Sequence, residues 1–205
     1  MRIKNLRNIL NWVVLVIPAM QVLLFLVSWL INAALPESQV RSLLGSEGIR
    51  WFFGSFVDNV AAPPIVWILV AAIAYGATRE SGILEAIRMK SGERRYRQTF
   101  ALRIVAITTV LLLLVLAFLT LMPHAALLSA TGQLFPSSFS RSCIPAIAFC
   151  IMVDAVIYGI LAGKLRSLDD VVAALTRGIA SAAPLILLYV LIAELAASCA
   201  YVFHL

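Results

Sequence analysis

Five stretches of the chain, residues 12–35, 64–77, 104–122, 143–162 and 179–203, are apolar with only isolated polar residues. A helix rises about 1.5 Å per residue, so about 20 such residues cross a hydrocarbon core of about 30 Å. The second stretch covers only ~21 Å by that measure and needs help to cross. Inside a bilayer every backbone polar group must be satisfied by the protein, which leaves helices or closed barrels. No strand-like alternation appears. The expected fold class is all-α integral membrane, with about five transmembrane helices plus short amphipathic interfacial or re-entrant helices, in a single membrane domain over residues 1–205. Composition excludes a soluble domain: 62% of residues are hydrophobic, 13% are charged and the mean hydropathy is +1.00.

The help for the short stretch comes from the residues before it. Ile49, Phe52, Phe53, Phe56, Val57 and Val60 follow the spacing of one helix face, with Arg50, Ser55, Asp58 and Asn59 turned the other way. Pro63 and Pro64 then break the helix, because proline has no N–H to give and restricts the residue before it. Asp58, Asn59, Pro63 and Pro64 thus form a candidate helix-break element. An interfacial helix followed by an ordinary short span fits the same residues. A broken helix persists at membrane depth only where protein or water covers the freed backbone groups.

Charge gives the orientation. Of the 16 Lys and Arg, all but Arg41, Arg50 and Arg141 fall at the N-terminus, in residues 78–103 or in residues 163–177. The positive-inside rule then places the N-terminus in the cytoplasm and, after five spans, the C-terminus outside. The first apolar run, at 12–35, is expected to stay as an uncleaved helix, since a signal peptide has a shorter core and a small-residue cleavage site. The net charge of +6 follows from these loops, so no nucleic-acid partner is expected, whereas membrane lipid is.

Between the spans, Ile83, Leu84 and Ile87 suggest a short amphipathic turn. Ser167 with Asp170 resembles a capping box ahead of an interfacial helix with Leu168, Val171, Val172 and Leu175 on one face. Within the spans, Gln21 suggests a face turned toward protein. Two acids, Asp154 and Glu194, stand with no Lys or Arg at comparable depth. An ionised carboxylate near the midplane costs at least ~2.5 kcal/mol. Both are therefore candidate intramembrane polar-site residues, expected to face protein or a water-filled crevice. A shared proton or cation site, two neutral, hydrogen-bonded acids, and pairing with a basic residue of a partner protein are the alternatives.

Other chemistry finds no support. Cys143, Cys150 and Cys199 lie in apolar segments without metal spacing, and His124 and His204 are isolated. No nucleophile–base pair and no His-Glu metal pattern is found, so no catalytic residue, cofactor or metal is expected, and the chain is not expected to be an enzyme.

The order of elements carries a resemblance. Residues 42–84, SLLGSEGIRWFFGSFVDNVAAPPIVWILVAAIAYGATRESGIL, resemble the early part of the aminobenzoyl-glutamate transporter (AbgT) family, with its glycine-rich opening, an Asn before an apolar-Pro segment, and an acid-Ser-Gly exit. The likeness resumes at TGQLFPSSF, at Ile144-Pro145, Phe149, Tyr158-Gly159-Ile160 and Ala162-Gly163, and at Asp170-Val171-Val172. The resemblance implies a polytopic inner-membrane protein and transport of organic anions such as aminobenzoyl-glutamate. It implies a dimer, and small residues such as Ala71, Ala72, Ala74 and Gly76 suit close helix contact either between two chains or within one. It also implies a short form, because family members are more than twice as long and carry substrate-binding hairpins with no counterpart here. What remains looks like the scaffold-like part of such a transporter. The alternative is a non-transporting scaffold or dimerisation subunit that docks a separately encoded partner membrane subunit.

Overall fold

The structure, a computed structural model, describes residues 2–35, 37–90, 92, 94–121 and 138–204. His124 and most of the TGQLFPSSF landmark lie outside the described residues. Among those described there are eight α-helices and no strand: α1 (Arg2–Ala34), α2 (Ser46–Gly54), α3 (Phe56–Val60), α4 (Pro63–Ser81), α5 (Ile83–Arg88), α6 (Tyr96–Leu121), α7 (Ser138–Ala162) and α8 (Leu168–Phe203). The fold is all-helical and built for a membrane. α1, α6, α7 and α8 are long and apolar enough to cross one. α4, at the short stretch among the five expected spans, extends the apolar run at 64–77 to 19 residues, or ~28 Å, by adding Pro63 and Thr78–Ser81 as helix.

The chain divides into two compact units, Met1–Val66 with Ala183–Leu205, and Trp67–Ala182. In the second unit, α6 packs along α7. Its core joins Ala77, Ile83, Ala86, Ala101, Val105, Ala155 and Tyr158. Small residues let α4 and α8 meet almost backbone to backbone. A side chain begun at Gly76 would stand 2.6 Å from the Cα of Gly178 and closer still to the Ala174 carbonyl. One begun at Gly178 would strike the Ala72 carbonyl. Ala72 with Gly76, and Ala174 with Gly178, are each four apart, the small-xxx-small spacing that brings membrane helices together. Of the small residues the sequence offered for a dimer contact, Ala72, Ala74 and Gly76 are buried within the chain, and Ala71 is exposed.

Local chemistry sets the helix ends. Gly163 takes a left-handed φ of 78°, and the N–H groups of Lys164 and Leu165 reach back to the Gly159 carbonyl, closing α7. Ser167 then caps α8. Its hydroxyl accepts from the Asp170 N–H, while the Asp170 carboxylate accepts from the Ser167 and Arg166 N–H groups.

The interfacial helix expected after Ser167 is not a separate element. It is the opening of α8, which runs 36 residues without interruption. At about 1.5 Å per residue that helix is ~54 Å long, well beyond a ~30 Å core, so it has turns to spare outside the apolar layer. In α5, Ile83 turns into the core while Leu84 and Ile87 remain outside it.

A candidate intramembrane polar site

The first unit holds a helix broken twice. α2 ends at Gly54 and α3 begins at Phe56, with Ser55 between them. α3 stops at Val60 and α4 starts at Pro63. Phe53, Phe56 and Val57 of the expected apolar face stay uncovered by the chain, as does Asp58. The side that meets the rest of the unit carries Gly48, buried, and Trp51, whose indole stacks on Tyr201 at 4.3 Å, together with Asn59. In a bilayer lipid can cover the exposed apolar residues, while the Asn59 amide is satisfied by protein.

The second break frees backbone groups. Pro64 has no N–H, so the Val60 carbonyl four residues earlier loses its helical donor. Tyr189 of α8 supplies one, its hydroxyl donating to that carbonyl at 3.2 Å. The Ala62 N–H also turns back to it at 2.7 Å.

The same segment also meets an acid. The amide of Asn59 donates to Glu194 Oε2 at 3.3 Å, while Glu194 Oε1 is buried without a partner and the residue is 6% exposed. One helical turn further along α8, Ser198 accepts from the Gln21 amide at 2.7 Å, and Gln21 Oε1 is likewise buried and unmatched. Nearer the helix end, Ser28 accepts from the Leu43 N–H at 3.2 Å, and Asn32 donates to the Val40 carbonyl.

Asp154 belongs to the second unit and has a different partner. Thr109 of α6 lies 2.6 Å from Asp154 Oδ2, and its hydroxyl also lies 2.9 Å from the Val105 carbonyl. A hydroxyl has one proton and serves one acceptor at a time. Asp154 Oδ1 is buried without a partner. No group of three or more His, Cys, Asp or Glu that could hold a metal occurs among the described residues.

The structure thus brings two of the sequence candidates together, Asn59 and Glu194, and gives Asp154 its own partner in Thr109. Pro63 and Pro64 act through the backbone they interrupt, and Asp58 faces away. Gln21 meets the protein as its polarity in an apolar run suggested. Tyr189 carried no such signal, because a tyrosine in a span reads equally as an interfacial anchor.

The family model described as "AbgT putative transporter family" matches residues 87–202, more than half of the chain. The chain belongs to the AbgT family. Within that range fall the Ile144-Pro145, Tyr158-Gly159-Ile160 and Asp170-Val171-Val172 landmarks, whereas the stretch at 42–84 precedes it. No curated protein matches the sequence. Among solved structures the chain is similar to the YdaH transporter of Alcanivorax borkumensis, at 14% identity and a TM-score of 0.76, over 94% of this chain and 71% of that one. At that identity the likeness speaks for the fold, which is that of a transporter. AbgT membership and the long apolar helices make this a multi-pass membrane protein.

Proposed function

We propose that this AbgT-family protein takes part in moving organic anions, of the aminobenzoyl-glutamate type, across the inner membrane. The observation that carries the reading is the family match over residues 87–202, reaching from α5 through most of α8. The buried polar groups agree with it, because ionisable side chains inside a membrane are expensive and are kept where they handle a solute or an ion. The charge bias favours a cytoplasmic N-terminus and an external C-terminus, and the family resemblance favours a dimer.

Flux decides the matter. The full chain in proteoliposomes, given labelled aminobenzoyl-glutamate, should accumulate or release it faster than empty vesicles, and an excess of unlabelled compound should abolish the difference. Flux equal to that of empty vesicles, from protein that is folded and inserted, would overturn the reading. Reporters near Lys90 or Arg166 should be active only in the cytoplasm, and one after Leu205 only outside. A cytoplasmic signal at Leu205 would refute the orientation. Cross-linking in native membranes should capture a pair of chains.

A further inference from the structure

The first unit has more buried acceptors than donors around one acid. Glu194 is buried at 6% exposure, and one oxygen takes a long hydrogen bond from Asn59, leaving Oε1 with no donor. Four residues on, on the same face of α8, Ser198 is fully buried and takes its hydrogen bond from Gln21, whose own Oε1 has no donor either. Glu194 and Ser198 stand one helical turn apart on α8, and each belongs to a bonded pair that leaves one oxygen unmatched, Glu194 Oε1 in the first and Gln21 Oε1 in the second. An unmet buried acceptor is destabilising, and an ionised one more so. The Asn59 and Gln21 amides already donate to Glu194 and Ser198.

Among the described residues, Glu194 forms no ion pair. α1 contributes no charged residue from Leu10 to Ala34, and α8 none beyond Arg177 apart from Glu194 itself. α3 contributes Asp58, which is exposed and of the same sign. The other titratable groups of this part of α8 are Tyr189, which donates to the Val60 carbonyl, Cys199 and Tyr201. Arg41 lies over the Tyr201 ring, near the far end of the helix, seven residues beyond Glu194.

We propose that Glu194, with Gln21, Ser198 and Asn59 beside it, binds a small monovalent cation, either a proton or an alkali ion. A cation supplies what the site lacks. It neutralises the carboxylate and gives the free oxygen a partner, whereas an added acceptor or anion would deepen the mismatch. The same group links the ion to the broken helix, because Asn59 lies one residue before the Val60 carbonyl that Pro64 leaves without a donor. Binding is measured without flux, so this site stands or falls separately from the transport reading.

The experiment uses the full chain in nanodiscs, wild type against Glu194→Gln. In the first arm, infrared spectra across a pH series follow the protonated carboxyl band. In the second, thermal unfolding is measured at fixed pH as sodium replaces choline. A proton site gives a titrating band that Glu194→Gln removes. A sodium site gives a rise in unfolding midpoint of about 2–4 °C or more in the wild type, absent in the variant. Wild type and variant indistinguishable in both arms would overturn the proposal. Gln21→Leu and Ser198→Ala keep the acid and guard against a variant that fails to fold. Each should shift the pH midpoint or shrink the sodium effect, and no change in either would also overturn it.

Discussion

The two units hold their helices together by different means. Trp67–Ala182 relies on close approach: Ala72 and Gly76 against Ala174 and Gly178, and an apolar core around Tyr158. Met1–Val66 with Ala183–Leu205 relies on polar side chains meeting each other and the backbone, through Asn59 and Glu194, Gln21 and Ser198, Tyr189 and Val60, and Ser28 and Leu43. Lipid tails are as apolar as leucine, so burial of apolar surface cannot drive helices together in a membrane. Van der Waals fit and hydrogen bonds remain. Each unit leans on one of the two. The difference teaches where substitutions hurt: the second unit is sensitive to added volume, and the first to lost donors.

The largest effect should therefore come from bulk in the second unit. Gly178→Leu drives a side chain into the α4 backbone and should cost about 3 kcal/mol or more, read by denaturant titration in detergent or as loss of folded protein. Ala71→Leu, on the exposed side of α4, should stay within about 0.5 kcal/mol of wild type. Equal tolerance at both positions would break the contrast.

Next comes a polar pair between helices of the second unit. Thr109→Val leaves both oxygens of Asp154 without a side-chain donor and should cost about 1–3 kcal/mol. Adding Asp154→Leu should recover part of that loss, since removing both partners is cheaper than orphaning one. A double variant worse than the single would show that the acid has support beyond Thr109.

A smaller effect sharpens the comparison at a helix end outside the core. Ser167→Ala removes the cap of α8 and should cost about 1 kcal/mol by the same titration, with no change in membrane insertion. An unchanged midpoint would mean that Asp170 alone holds that turn.

Much of this was legible in the sequence because the governing patterns are local. Long apolar runs announced the helices, Pro63 and Pro64 the break, Ser167 and Asp170 the cap, and the placement of Lys and Arg the loops. The joining of the expected interfacial helix to α8 was not legible, because the change from a one-faced apolar pattern at 168–175 to an apolar run at 179–203 looks like two elements, whereas the helix runs through both. Partnerships were the other blind spot. Asn59 and Glu194 are 135 residues apart, and Tyr189 and Val60 are 129 apart, so each polarity could be seen but not its match. Small residues on α4 signalled close contact without saying with what. The structure assigns Ala72 and Gly76 to α8 of the same chain.

The central claim is that the first unit is held by hydrogen bonds replacing those its broken helix forgoes. A double-mutant cycle on Tyr189→Phe and Pro64→Ala, read by unfolding in detergent, tests it most directly. Tyr189→Phe alone should lose about 1 kcal/mol, as the Val60 carbonyl loses its hydroxyl donor. Pro64→Ala returns an N–H at the position that serves this carbonyl in a continuous helix, so in the Tyr189→Phe background it should restore most of the loss, with a coupling of at least about 0.5 kcal/mol. Strictly additive effects, or a Tyr189→Phe variant as stable as wild type, would contradict the account.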